Sequence, residues 1–395
     1  MKNRNAVSHA LFLALAFVLS SNSANAQAIY EDAKPGDRPA SNTDEAELWY
    51  IIDRQEEYLR NSPFLVRDPA LNEYVRNVAC KVASDYCKDL RIYILDVPFF
   101  NASMAPNGVM IIWTGALLRM QNESDLALIM GHEFGHYKKR HSIQQWRKLK
   151  KSSAFLGTFG ILTAGAGVGM AGMIANIAGG ATMAKFSRDK EREADRIGMG
   201  IIGDQHYDPE SSVRLWEAML REENARDYGK PFPVFASHPQ TKERVEDVRA
   251  AATAITNPGK ELGRDAYRKV TRPFLQQWLQ NELTRRMYNT SVQVIGDLRK
   301  TADPSDAGMY TFYLGEAYRQ RNKNDDRAQA TKLYAQAVTE AGSPAQAWRE
   351  NGLALRDSKH YLDAIKNLQE YLTRDPGAPD RGFIESYLKQ METLK

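Results

Sequence analysis

The stretch DLALIMGHEFGHYKKRHS, Asp125 to Ser142, narrows the possible folds more than any other part of the chain. Ser124 and Asp125 are good helix-start residues, and Leu126, Leu128, Ile129, Phe134 and Tyr137 recur at helical spacing, so the stretch predicts a helix with a buried stripe. In such a helix His132 and His136 are four apart and stack on one face, where both imidazoles can reach one metal ion. Glu133 projects beside that face, close enough to hold a metal-bound water. The alternative is an amphipathic helix whose two histidines have no ligand role. A third ligand elsewhere in the chain would separate the two readings.

A second stretch, FSRDKEREADRIGMG, predicts another helix, with Ser187 at its start and Gly198 near its end. Glu191 and Asp195 are four apart on one face. That suits one carboxylate for a metal and a second that fixes a histidine tautomer from outside. Glu193 points elsewhere on the helix. The bland alternative is a solvated charged helix, which most runs of this composition are.

Together, HEFGH and SRDKEREAD resemble the gluzincin metallopeptidase family that contains the CAAX prenyl proteases and the HtpX heat-shock proteases. The second motif of that family sets a glutamate three residues before an Ala-Asp pair. The resemblance implies a mainly α (α+β) fold: a helical zincin metallopeptidase domain with a small β-sheet. It also implies one zinc ion per chain held by His132, His136 and Glu191, with Glu133 as catalytic base and Asp195 as the outer partner. FASHPQTKER, with His238, Pro239 and Arg244, is similar to the family's His-Pro segment ending in an arginine, and NASMAPNGVMIIWTGALL to its active-site edge strand. The likeness runs from about Ala46 to Ala250.

Two neutral imidazoles and one carboxylate leave an open position on zinc, where a bound water becomes acidic enough to attack near neutral pH. Glu133 would take the proton and return it to the leaving amine. His238 or Arg244 could stabilise the developing oxyanion. His238 could equally fill the open position and hold the enzyme latent. Pro106-Asn107-Gly108 reads as a turn, and Val109 to Thr114 as a strand able to offer an unpaired edge to an extended peptide, with recognition through backbone hydrogen bonds. A plain interior strand is the other reading of that segment.

The remainder of the chain sets the context. Lys2 and Arg4, the apolar run Ala10 to Leu19 and the small residues Ser23 to Ala26 have the layout of a secretory signal peptide over residues 1–26. An uncleaved anchor is the alternative, although the apolar run is short for a bilayer span. Export makes a bridge between the only two cysteines, Cys80 and Cys87, the expectation. On one unbroken helix their Cα atoms would lie about 10 Å apart, too far for a disulfide, so a bridge requires the helix to end near Ser84-Asp85. Two free thiols packed on one helical face are the alternative.

Ser152 to Ala184 carries many glycines and is long enough to cross a bilayer. A single crossing would put His132 and His136 on the opposite side from Glu191, so the stretch reads as helices over the cleft, a lid or a surface-dipping hairpin. The basic residues Lys138, Lys139, Arg140, Arg147, Lys148, Lys150 and Lys151 offer a possible peripheral membrane contact, with a solvated face as the commoner reading. A net charge of +4 and a charged content of 26% give nucleic-acid binding no support.

A metallopeptidase domain over residues 27–257 is followed, over 258–395, by alternating helices. Trp348, Gly352, Tyr361, Ala364, Leu368 and Pro376 fall near the offsets of a tetratricopeptide repeat. Leu314, Gly315, Tyr318, Ala330 and Tyr334 form a less even copy, Asn322 to Asp326 an inserted loop, and Phe274 to Leu298 a degenerate preceding unit. Such an all-α solenoid offers a concave surface to a partner chain. An exported member of the family with C-terminal repeats resembles the periplasmic β-barrel assembly-enhancing branch of Gram-negative bacteria. That likeness implies unfolded or misassembled outer-membrane proteins as substrates, and contact with the outer-membrane assembly machinery through the repeats. From the residues alone, an exported zinc peptidase fused to a binding module is expected. The competing readings are a largely latent protease acting as a chaperone or assembly factor, and a peptidase for small exported peptides.

Overall fold

A computed structural model describes residues 31–151, 186–227, 238 and 242–394. The expected leader over residues 1–26 and the glycine-rich stretch Ser152 to Ala184 lie outside the described residues. Asp32 to Lys395 forms one compact unit. It is mainly helical, with a three-stranded sheet near its start. Among the described residues, no helix is long and apolar enough to cross a membrane.

Helix α1 (Asp44–Arg60) and helix α2 (Pro69–Ala83) precede the sheet. Asp68 caps α2 by accepting from the Leu71 amide, and Pro69 occupies the first turn, where its missing N–H costs nothing. The helix stops because Ser84 turns to φ 46°, with its N–H bonded to the Cys80 carbonyl. That break is the one the cysteine pair requires: Cys80 and Cys87 are bridged, with Cα atoms 4.7 Å apart across a short 3-10 turn. Loop-closure entropy for so short a loop predicts that replacing both cysteines by serine lowers stability by about 2 kcal/mol. The midpoint of a denaturant titration reads this, and an unmoved midpoint would assign the bridge no stabilising role.

Strands β1 (Arg91–Leu95), β2 (Ala102–Met104) and β3 (Val109–Trp113) form a sheet of order β1-β3-β2. β3 runs parallel to β1, from Arg91↔Val109 to Leu95↔Trp113, and antiparallel to β2, from Ala102↔Ile112 to Met104↔Met110. The Val109 to Thr114 edge is therefore overturned: β3 is the central strand, and Thr114 already opens helix α3 (Thr114–Arg119). The physical reason is coverage on both faces. Met110 and Ile112 enter the main core, whereas Val109, Ile111 and Trp113 pack with Leu59 and Leu95 in a second cluster. β2 takes the margin of the sheet and packs on the next long helix. The expected turn is present, with the Gly108 amide bonded to the Ala105 carbonyl and Gly108 at φ 88°, where a Cβ would collide with the Asp89 carbonyl.

Helix α4 (Glu123–Lys138) is capped by Asn122, whose side chain accepts from the Asp125 amide, two residues before the expected start. Helix α5 (His141–Lys150) follows after Arg140, which sits in the left-handed region at φ 54°. Four residues of the basic run on these elements are paired within the fold. Lys139 pairs with Asp32, Arg140 with Asp37 and Glu45, and Arg147 and Lys150 with Asp44. The acidic start of α1 thus neutralises much of that charge within the fold.

Helix α6 (Arg188–Asp204), helix α7 (Pro209–Asn224) and helix α8 (Lys242–Ala254) complete the region around the site. Ser187 caps α6 as expected, but the helix continues six residues past Gly198. Then come α9 (Arg264–Thr271), α10 (Leu275–Thr284), α11 (Tyr288–Lys300), α12 (Ala307–Arg321), α13 (Asp326–Ala337), α14 (Ala345–Asp357), α15 (Tyr361–Arg374) and α16 (Arg381–Glu392). In the pairs α12/α13 and α14/α15, Gly315 and Gly352 do the same job. A Cβ on either would meet Tyr334 or Leu368 at under 3 Å, so glycine is what lets each pair close. The Asn322 loop is present, with Asn322 itself in the left-handed cap that ends α12.

Candidate metal centre

The site exists because α4 and α6 approach along a seam of small residues. A Cβ on Gly135 would lie 3.0 Å from the Ala194 Cα, and one on Gly131 would lie 3.1 Å from the Gly198 Cα. At that separation the face carrying His132 and His136 meets the face carrying Glu191 and Asp195. All four side chains are buried.

His132 Nε2 lies 3.2 Å from His136 Nε2, and Glu191 Oε1 lies 3.5 Å from the latter. Glu191 Oε2 stands 3.7 Å from His132 Nε2. His238 joins them, its Nδ1 2.9 Å from Glu191 Oε1 and 3.3 Å from His132 Nε2. Among the described residues, the ligating atoms of His132, His136, Glu191 and His238 all fall within 4.8 Å of one another. Buried imidazole nitrogens facing each other at such distances repel unless a cation or proton sits between them, so the donor set fits a metal ion.

The outer contacts orient these donors. Asp195 Oδ1 is 2.8 Å from His132 Nδ1, which places the proton there and leaves the Nε2 lone pair facing the cluster. Arg244 donates from Nε to Asp195 Oδ2 at 2.9 Å and from Nη2 to Oδ1 at 2.8 Å, and its Nη1 lies 2.9 Å from Glu191 Oε2. The guanidinium also lies over the Trp216 ring at 5.0 Å. Its three nitrogens thus face carboxylates, and Arg244 clamps two acidic side chains together rather than pointing at an open site.

The charges follow from this packing. Burial works to raise the Glu191 carboxyl, but the His238, His136 and His132 imidazoles outweigh it and hold the group well below the usual carboxylate range. Burial likewise opposes ionisation of Asp195, which Arg244 and His132 bring down to about 2. Burial drives His136 well below its ordinary value. Glu133 is displaced the other way: burial pushes its carboxyl up against the opposing pull of His238 and His132.

Two members of the cluster were not legible as such. His141 Nδ1 lies 2.9 Å from His136 Nδ1, and Glu193 Oε2 lies 3.1 Å from His141 Nε2. Glu193 does point away from the metal-facing side of α6, as expected, but toward His141. The left-handed turn at Arg140 folds the start of α5 back onto α4, and no helical periodicity across that turn announces it. Phe186 stacks on His136 at 4.2 Å between ring centres and closes the same side.

Comparison with known proteins agrees with this geometry. Residues 66–252 match the model of peptidase family M48. The chain is 28% identical to a putative beta-barrel assembly-enhancing protease of Vibrio cholerae over 203 residues, 49% of this chain and 42% of that protein. It is 24% identical to the beta-barrel assembly-enhancing protease of Escherichia coli K12 over 277 residues, 62% of this chain and 56% of the other. It is 30% identical to metalloprotease YcaL of Escherichia coli K12 over 152 residues, 38% of this chain and 57% of the other. The chain thus spans about half the length of these relatives. With His132 and His136 on α4, Glu191 on α6 and His238 joining them from outside both helices, residues 66–252 carry the pattern of a metallopeptidase domain of peptidase family M48.

Proposed function

We propose that the protein is a zinc metalloendopeptidase, exported to the periplasm through a cleaved signal peptide, that hydrolyses misfolded or stalled outer-membrane β-barrel proteins. The convergence of three imidazole nitrogens and one carboxylate within 4.8 Å carries the reading. Imidazole and carboxylate donors in a four-membered set suit zinc, with His132, His136 and Glu191 as the holding residues. When bound, the ion supplies Lewis acidity to water and to the scissile carbonyl.

The chain's own residues do the rest. Glu133, buried beside the cluster with its carboxyl pushed up by that burial, takes a proton from the attacking water and returns it to the leaving amine. Asp195 holds His132 in the tautomer that offers Nε2, and Arg244 holds Asp195 and Glu191 in register. With Arg244 so engaged, His238 is the better placed of the two to stabilise negative charge on the carbonyl oxygen.

The substrate class is supported by relatives named beta-barrel assembly-enhancing proteases. The helix pairs from α10 to α15, read as tetratricopeptide repeats over 258–395, would engage the substrate or the outer-membrane assembly machinery. A groove of about 680 Å3 there, lined by Tyr288, Phe312, Tyr313, Glu316 and Glu350 among others, is large enough to take a peptide segment.

A second reading is favoured by the position of His238. Its Nδ1 stands among the donor atoms themselves, where it can complete the coordination and hold the enzyme latent, leaving chaperone or assembly work as the main task. The test is to incubate the zinc-loaded full chain with an outer-membrane barrel protein kept unfolded, and with the same protein folded in detergent. Loss of the unfolded chain with sparing of the folded one is expected. If only His238→Ala cuts, latency is the resting state; if neither protein cuts, the endopeptidase proposal fails.

A further inference from the structure

We infer that His141 and Glu193 form a positioning relay that fixes the tautomer of His136, making His141 a determinant of metal affinity. This rests on the reading of His132, His136 and Glu191 as metal ligands. It adds two residues to that centre.

The inference follows from counting protons along a line of three groups. Glu193 Oε2 lies 3.1 Å from His141 Nε2, and a carboxylate there requires that nitrogen to carry hydrogen. A neutral His141 then presents a bare lone pair at Nδ1. Nδ1 of His141 lies 2.9 Å from Nδ1 of His136, and a nitrogen-to-nitrogen hydrogen bond carries one proton. That proton must belong to His136. With hydrogen on its Nδ1, neutral His136 presents its lone pair at Nε2, the atom that faces His132 at 3.2 Å and Glu191 at 3.5 Å. Reversing the bond would put hydrogen on His136 Nε2, aimed into the cluster, and abolish ligation.

The arrangement parallels Asp195 and His132 at the other ligand, with one difference. Asp195 contacts His132 directly, whereas Glu193 acts on His136 through an intervening imidazole. Both carboxylates come from the same helix, two residues apart. The spacing is what sends one to each ligand: Asp195 on the seam face of α6 meets α4, and Glu193, two residues earlier and directed away from that face, meets the first residue of α5. His141 is 1% exposed, enclosed between His136 and Glu193, so its two ring nitrogens have these two groups as their partners.

The experiment measures the zinc dissociation constant of the full chain by competition with a chromophoric chelator, at one pH, for wild type and three variants. His141→Leu keeps an apolar filler of similar bulk but no acceptor; it should weaken zinc binding by about 10- to 100-fold, the usual effect of losing a partner behind a metal ligand. His141→Asn puts an amide oxygen near the position of Nδ1 and should recover affinity to within a few-fold of wild type. Glu193→Ala, made at a position whose side chain is 36% exposed and therefore tolerant of change, should weaken binding several-fold. Absorption of the cobalt-substituted proteins reports the ligand field independently of turnover. If His141→Leu binds as tightly as wild type, or His141→Asn is as weak as His141→Leu, the relay is wrong and His141 serves only packing. If wild type itself binds no zinc, the underlying reading of the centre fails instead.

Discussion

Replacing Glu133 by glutamine should leave one zinc per chain in place and lower proteolysis by about two to four orders of magnitude, the span a positioned base contributes. Replacing Glu191 by glutamine should abolish activity by another route, because zinc content itself falls. The contrast follows from position. Glu133 is buried beside the cluster and is not among the atoms that converge, whereas Glu191 places one oxygen 3.5 Å from His136 Nε2 and the other 3.7 Å from His132 Nε2. An amide at Glu191 also removes the negative charge that faces both His238 and Arg244, at 2.9 Å each. Metal analysis beside a degradation assay separates the roles. Equal zinc in all three proteins would remove Glu191 from the ligand set, and a fully active Glu133→Gln would remove Glu133 from the chemistry.

The parts of the site that were legible in the sequence are those fixed by one helical turn. His132 with His136, and Glu191 with Asp195, stand four apart on single helices, and a four-residue step has one geometric meaning. Joining the two helices needed family likeness, although the small residues that make the seam, Gly131, Gly135, Ala194 and Gly198, were in plain view. Gly198 was instead taken for a helix end, which a mid-helix glycine imitates until its packing partner is known. His141 was missed because contact through a left-handed turn has no periodicity. β3 was misplaced because an apolar run reads alike at an edge and in the middle; only the second cluster, with Leu59 and Leu95 beneath Ile111 and Trp113, decides it. The pairing of Arg140, Arg147 and Lys150 was not legible because their acidic partners lie about a hundred residues earlier, in a segment with no motif.

Glu282→Leu should lower stability by about 3 to 5 kcal/mol, a large effect for a residue far from the metal centre. Arg119 at the end of α3 is buried and donates to Glu222 of α7 through Nε at 2.6 Å and Nη2 at 2.7 Å. The same Nη2 reaches Glu282 of α10 at 3.0 Å, and Arg285 Nη1 lies 2.6 Å from both Glu282 oxygens. Ser291 donates to Glu282 as well, at 3.0 Å. Glu282 and Arg285 have fully buried side chains. Removing Glu282 leaves two buried guanidinium groups to share Glu222, and separating charges from their partners inside a protein costs far more than an exposed ion pair returns. The denaturant midpoint should fall accordingly, with Glu282→Gln intermediate because the amide keeps shape and a hydrogen-bond acceptor. A loss under about 1 kcal/mol for Glu282→Leu would mean that water reaches the cluster. The cluster also couples the sheet-bearing region to the helices that follow residue 257, because Arg119 belongs to the first and Glu282 and Arg285 to the second. Unfolding should therefore be a single transition across that boundary, and a chain cut after Asn257 would strip Arg119 of one of its two carboxylates. Loss of activity in such a truncation would report a disrupted buried charge cluster as readily as a lost partner-binding surface, so a point change on the exposed groove around Tyr288 and Gln320 is the cleaner way to separate binding from stability.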